Sequence, residues 1–374
     1  MKMKRVAIIV PGGIGNGKFL QGVPSMVNLI ERLSHEFEIT VYSLIKTETK
    51  EVSKNFKLKS IPANTKTSSW IKVLLLLRCF LRDHLTNKYE LVHAFWALPA
   101  GFLSVKLSKL FKIPCIVTLQ GGETANLPDI NYGNSLNEKS RKKILGVCKK
   151  VNKLIVLTNF QLAQLRLLGV NRDDIDIIPY GAEENLFRFN KSKNYVEPYK
   201  FIHIANLTEV KDQVTLLRTF KFIREKVDCH LTMIGDDYLE SNIQKLVQEF
   251  ELDKNVLFVN AVPHQELSKY LSGAHFMLHT SLHEAQAVVI NEAMSSGVVV
   301  CGSRVGLLSD LASECCITAE CRDYTDLAQK ILDLIPDKER IDKMRTFAFY
   351  WSKDHSASWT YESYKKIYKR LTNS

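Results

Sequence analysis

Short runs of β-branched and aliphatic residues alternate with longer stretches of helical period along almost the whole chain, and this alternation constrains the fold more than any other feature. Strand-length runs fall at residues 6–10, 39–43, 91–94, 115–119, 154–157 and 176–178, with a second series at 201–204, 230–234, 256–259, 275–279 and 298–301. Stretches 23–33, 100–111 and 160–168 carry apolar residues at three- and four-residue spacing, the last closed by Gly169 at a helix-stop position. Strands that are apolar throughout, with helices between them, are buried on both faces, which requires parallel sheets wound by right-handed crossovers. At 374 residues the chain is long for one such core, so two domains are expected.

A break falls at 185–200, where Arg188, Asn190, Lys191, Lys193, Asn194 and Pro198 replace periodic apolar residues, and it reads as a linker. The expectation is an α/β chain of two Rossmann-like, doubly wound parallel-sheet domains, 1–185 and 198–350. A last helix within 355–374 sets Trp359, Tyr364, Ile367 and Tyr368 near one face. In open α/β sheets ligands bind beyond the carboxyl ends of the strands, so two such sheets facing each other would enclose a cleft between their loops.

With 45% apolar and 24% charged residues, the composition excludes a disordered chain. The longest aliphatic run, Val73 to Leu77, is bounded by Lys72 and Arg78 and falls far short of the roughly 20 residues that span a bilayer. The opening residues pass directly from Lys4 and Arg5 into a strand, unlike a secretory signal, and the 8 cysteines are scattered without a CxxC pair. A cytoplasmic address is expected. The net charge of +11 is uneven, since residues 1–180 carry +14 and the remainder −3. Such a basic half suits an anionic partner (a membrane surface, a nucleic acid or a phosphorylated substrate) or forms a solvated face with no partner.

The first strand runs into Pro11-Gly12-Gly13-Ile14-Gly15-Asn16-Gly17-Lys18-Phe19. Glycines there let backbone N–H groups approach a phosphate or an acceptor, or they make a plain turn. The run is not a P-loop, because Phe19 stands where a Mg²⁺-binding Ser or Thr is required, and it is out of register with GxGxxG. His275, His279 and His283 recur every four residues, but strand geometry sets the first two about 13 Å apart, so no shared metal is expected. The most informative segment is 280–294, which places Glu284 in a loop between a strand and a helix, and Glu292 inside the helix. Amides at the helix start suit a phosphate, and a carboxylate on each side suits the hydroxyls at the two ends of a sugar nucleotide.

Glu284-x7-Glu292, followed by Ala293-Met294-Ser295-Ser296-Gly297, resembles the paired-glutamate segment of retaining GT-B glycosyltransferases of the large group 1 (family 4) set. Further stretches keep that family's order: Gly12-Gly13, Gln120-Gly121-Gly122-Glu123, Ile178-Pro179-Tyr180-Gly181 with Phe187 beyond it, Asn206 to Lys211, Gly235-Asp236 and Val305-Gly306. The resemblance covers essentially the whole chain. It implies the GT-B fold with an interdomain cleft, an acceptor-binding first domain, a donor-binding second domain, and a last helix that returns to the first.

By this resemblance Glu284 contacts hydroxyls of the donor sugar, Glu292 holds the ribose, and Lys211 clamps the diphosphate as it leaves. Gly12, Gly13, Gly235 and the backbone of Ala285, Gln286 and Ala287 line the donor. Asn206 stands where the family has an arginine, so either Lys18 or Arg304 reaches in or Asn206 donates a neutral hydrogen bond. Gln120 replaces a family histidine and, with Lys18 and Glu123, is assigned to the acceptor side; an exposed loop carboxylate is the other reading of Glu123. His93, following a strand at 91–92, is assigned to phosphate or acceptor contact, the other reading being a satisfied strand-end histidine. Neither a cofactor, a metal nor a protein nucleophile is expected, because the resemblance implies retention by front-face attack, with the donor's own phosphate oxygen taking the acceptor proton.

The implied activity is transfer of a hexose from a UDP- or GDP-linked donor to a glycan or lipid-linked glycan, in cell-surface polysaccharide synthesis, in the cytoplasm or at the inner membrane face. Residues 70–85, with Trp70, Val73, Leu77, Phe80 and Leu81 interleaved with Lys72, Arg78 and Arg82, read as a helix packed on the first sheet or as an amphipathic element on anionic lipid. Rival readings are a nucleotide-sugar epimerase that needs no acceptor, an inactive binding module, and a nucleic-acid-binding protein. No nucleic-acid partner is expected, since neither a groove-reading helix nor stacked exposed aromatics are evident.

Overall fold

A computed structural model describes residues 3–15, 19, 21–47, 55–61 and 68–373; Lys18 lies outside them. Strands β1 (Lys4–Val10), β2 (Phe37–Ser43), β3 (Lys57–Ser60), β4 (Leu91–Phe95), β5 (Cys115–Thr118), β6 (Lys153–Val156) and β7 (Ile175–Ile177) form one parallel sheet in the order β3-β2-β1-β4-β5-β6-β7. Strands β8 (Tyr199–Ile204), β9 (Cys229–Ile234), β10 (Val256–Val259), β11 (Phe276–His279), β12 (Val299–Ser303) and β13 (Cys316–Ala319) form a second, in the order β10-β9-β8-β11-β12-β13. The sheets belong to two compact units, one of Met1–Tyr180 with Ser358–Ser374, the other of Gly181–Ala357. Both orders reverse at the first strand of their unit, the doubly wound Rossmann pattern.

Apolar runs fill both faces of each sheet, as burial on two sides demands. In the second unit Phe201, Phe276, Leu278 and Val299 face one helix layer, while their neighbours Ile202, Met277 and Val300 face the other with Ile290 and Met294. Two strands carry no comparable run. The Lys57–Ser60 strand is a polar edge whose exposed Lys57 pairs with Glu38 and whose Lys59 pairs with Asp83, charges of the kind that blunt a sheet edge, and Cys316–Ala319 holds a single branched aliphatic residue, Ile317.

The polar stretch at 185–200 is not a linker. Phe187 and Tyr195 are buried in the second unit, and the Arg345 guanidinium lies over the rings of Phe189 and Tyr195. Lys193 Nζ donates to the carbonyls of Leu271 and Ala274, at the end of one helix, and of Ser296, at the end of another. Its polarity serves those helix ends, which need donors.

In the first unit the helix Ala357–Thr372 lays Tyr364 and Tyr368 against the sheet with no exposed surface. The helix Ser69–Thr86 buries Leu76 and Phe80 in the core and leaves Leu74, Arg78, Arg82 and Leu85 exposed. Among the described residues no helix is long and apolar enough to cross a membrane.

Candidate functional site

In the second unit the sheet reverses between β8 and β11, so the loops leaving these two strands diverge at their carboxyl ends, the place where open α/β sheets bind ligands. The loops are laced together: Leu282 N–H donates to Val210 O at 2.8 Å, and Thr280 Oγ1 to Asp212 O at 2.9 Å. That lacing brings Lys211, from the short turn Glu209–Lys211, onto Glu284. Lys211 Nζ reaches Glu284 Oε1 at 2.5 Å, His279 Nε2 approaches the same oxygen at 3.0 Å, and Ser281 Oγ donates to it at 2.7 Å. Burial alone would raise the Glu284 pKa, but the Lys211 charge and the His279 hydrogen bond outweigh it and hold the carboxyl well below the usual range. Glu284 is therefore a carboxylate at any working pH.

Beneath this pair lies a buried polar layer. His203 Nδ1 donates to Leu278 O at 2.9 Å, and burial pushes its pKa down to about 3, so the ring is neutral. Its Nε2 then accepts from Gln213 Nε2, which also donates to Asn206 O at 3.2 Å. Asn206 itself organises the β8 and β9 loops, since its Oδ1 accepts the Asp236 N–H at 3.1 Å while Asp236 Oδ1 accepts from Ala261 N–H at 3.1 Å. Gly235 has φ 155°, and a Cβ there would stand 2.1 Å from Ala205 O, so the approach of these loops admits only glycine.

Ala285, Gln286 and Ala287 connect Glu284 to the helix Val288–Ser295, with Ala287 at φ 64° as its N-cap. Glu292 sits inside that helix, almost wholly buried, and accepts from His264 Nε2 at 2.6 Å. Burial disfavours the His264 proton, yet the bond and charge of Glu292, with Glu183 nearby, outweigh it and raise the His264 pKa. A histidine with a raised folded-state pKa contributes its stabilisation in full below the unfolded value of about 6.5 and loses it as pH rises through the folded value. The wild type is accordingly expected to be about 1 kcal/mol more stable than His264→Gln at pH 5.5, with the gap closing by pH 9, as read by urea unfolding.

Of the residues the sequence singles out, Glu284, Glu292, Lys211, Asn206 and Gly235 all lie beyond the carboxyl ends of the second unit's strands or in the helix that follows them. The sequence does not single out His264, whose spacing carries no signal, and it raises His279 only as a metal ligand. His275 Nδ1 accepts from Lys200 N–H instead, well apart in role, and no three His, Cys, Asp or Glu side chains converge among the described residues. Arg304 turns to Glu320, at 3.6 Å.

Two first-unit assignments are corrected. Strand β4 continues through His93, which has no exposed surface and bonds Tyr368 Oη at 2.6 Å and Thr118 Oγ1 at 2.9 Å. Burial pushes its pKa down to about 3, so His93 is a neutral core residue, out of reach of phosphate or acceptor. Glu123 is neither exposed nor available to an acceptor. It is fully buried and accepts N–H bonds from Ala97 at 3.0 Å, Gln120 at 3.2 Å and Gly121 at 2.8 Å, with burial raising its pKa above the ordinary range despite those bonds. Gln120 Nε2 donates to Tyr180 Oη at 2.9 Å. Gly12 and Gly13 follow β1 where the first sheet reverses, and Gly13, at φ 84°, offers its carbonyl to Val23 N–H.

Residues 185–350 match the family model described as glycosyl transferases group 1, and residues 23–185 the one described as glycosyltransferase family 4. Over 240 residues the chain is 26% identical to a D-inositol 3-phosphate glycosyltransferase of Pseudarthrobacter chlorophenolicus, covering 60% of this chain and 56% of that protein. Over 261 residues it is 29% identical to an N-acetyl-alpha-D-glucosaminyl L-malate synthase of Bacillus anthracis, covering 67% and 66%. The matched stretch thus spans less than two thirds of the length of each of these relatives. Among solved structures, sucrose-phosphate synthase from Thermosynechococcus elongatus superimposes with a TM-score of 0.83 at 19% identity over 98% of this chain and 99% of that one. Anabaena HepE in complex with UDP-glucose gives 0.77 at 13% over 98% and 99%. The two parallel sheets have the GT-B fold, and the chain belongs to the group 1, family 4 glycosyltransferases.

Proposed function

We propose that the protein transfers a hexose from a UDP- or GDP-linked donor, with retention and without a metal, to a glycan or lipid-linked glycan acceptor in cell-surface polysaccharide synthesis. The observation that carries this is the pair of anchored carboxylates: Glu284 held from the loop after β8, Glu292 from the turn after β10. Those strands lie two places apart, about 10 Å across the sheet, which matches the distance from a hexose to the ribose of a nucleotide sugar. In this reading Glu284 accepts from sugar hydroxyls, Glu292 from the ribose, and Lys211 lies against the diphosphate between them. The bond from the anomeric carbon to the diphosphate oxygen breaks as the acceptor oxygen bonds the same face, and the acceptor proton passes to the departing phosphate. Lys211 offsets the charge that grows there, Asn206 adds a neutral donor, and the backbone at Ala285 to Ala287 leads into the helix start.

The acceptor is assigned to the first unit, where Gly12, Gly13 and Gln120 lie beyond the strands and where the excess positive charge resides. The exposed Leu74, Arg78, Arg82 and Leu85 on one helix support a peripheral contact with anionic lipid at the inner membrane face. The UDP-glucose in the HepE crystals supports the donor class.

A thermal-shift panel of UDP-glucose, UDP-galactose, UDP-N-acetylglucosamine and GDP-mannose tests the reading, since a ligand at 100 times its Kd adds about 2.7 kcal/mol of stability. Stabilisation by one nucleotide series is expected. A flat response to all four overturns the donor assignment.

A further inference from the structure

We infer that His279 and Ser281 are positioning residues for recognition of the donor's sugar, acting through Glu284 rather than touching the ligand. This deepens the donor-site reading above and rests on it.

All three groups that bond Glu284 converge on one oxygen, Oε1: the Lys211 ammonium, His279 Nε2 and Ser281 Oγ. Among the described residues nothing bonds Oε2. Because a carboxylate only accepts, the His279 hydrogen must lie on Nε2, and Ser281 spends its one hydroxyl hydrogen on Oε1. Oε1 is saturated, which leaves Oε2 as the atom free to accept from a hydroxyl brought by a ligand. Backbone packing fixes the other end of the side chain, since a Cβ at Gly306 would come within 2.7 Å of Glu284 Cβ.

The three donors are not equivalent. Lys211 rides on a partly exposed turn, and its ammonium is the group a diphosphate would draw away. His279 and Ser281 are almost wholly buried, one closing β11 and the other two residues on, where Thr280 is laced to Asp212. They remain on Oε1 when Lys211 turns toward phosphate. Glu284 then keeps Oε2 aimed at the sugar, and the affinity for the sugar portion depends on His279 and Ser281 while that for the nucleotide does not.

Isothermal titration of the full chain tests this, using UDP alone, GDP alone, and whichever of UDP-glucose, UDP-N-acetylglucosamine and GDP-mannose binds the wild type. His279→Leu removes the donor and keeps an apolar side chain of similar bulk. His279→Gln restores an N–H at the reach of Nε2. For His279→Leu the nucleotide-sugar Kd is expected to rise about tenfold, the worth of one hydrogen bond to a charged group, with the free-nucleotide Kd changed less than about twofold. Gln is expected to recover most of the loss. Ser281→Ala is expected to shift the same ratio by a smaller factor, and it decides the matter if His279→Leu does not fold. Equal weakening of nucleotide and nucleotide sugar, or no weakening of either in a folded variant, overturns the inference. A wild type that binds none of the five probes overturns the donor site itself, and this inference with it.

Discussion

Lys211→Ala is expected to lower kcat about 10²–10³-fold and to leave the protein folded, the loss seen when a single preorganised donor to a developing anion is removed. The size follows from how few cations stand at this site among the described residues. Asn206 carries no charge and Arg304 is directed at Glu320, so neither replaces the lost ammonium. Folding should survive because Lys211 lies on a turn outside the core and Glu284 keeps two of its three donors. Stability should fall by about 1–2 kcal/mol, less than when a fully buried pair is broken. Lys211→Arg should recover part of the rate, since the charge returns with a different fork geometry. Steady-state kinetics with the donor identified by thermal shift, alongside urea unfolding, check both halves. A variant that keeps a third of wild-type kcat would remove Lys211 from the reaction.

Gly302→Ala should cost about 3–5 kcal/mol, enough to consume a large part of the roughly 5–15 kcal/mol that holds a domain together. Gly302 is the register partner of His279 in the β11–β12 ladder, and a Cβ on it would stand 1.9 Å from the His279 carbonyl oxygen and 2.9 Å from Leu308 Cδ1. Both strands are central and buried, so neither can move aside without opening the sheet where His279 supports Glu284. Gly146→Ala is the control. It lies inside the helix Glu138–Lys150 with nothing within 4 Å of where its Cβ would stand, and this change should stabilise the first unit by about 0.5–1 kcal/mol. Denaturant midpoints of the two variants should therefore move in opposite directions. A Gly302→Ala protein as stable as wild type would mean that the two strands do not approach as described.

Much of the architecture was legible because the relevant signals are local. Runs such as 91–94 and 154–157 report burial on both faces directly, and the eight-residue spacing of Glu284 and Glu292 places them in a loop and its following helix whatever surrounds them. The Lys57–Ser60 strand escaped notice because a polar edge has no apolar run, and the 185–200 stretch was misread because a polar segment serving buried helix ends looks like a solvated one.

The chain's own order of residues determined two wound parallel sheets and a carboxylate pair beyond the second sheet's strands. Only packing decided which polar groups stay available. His93 meets Tyr368 across 275 positions, Glu123 turns inward to three backbone amides, and Glu292 finds His264 28 positions away. Periodicity is a property of neighbours in the chain, whereas a polar side chain's role depends on whether distant elements close over it and supply its hydrogen-bond partners.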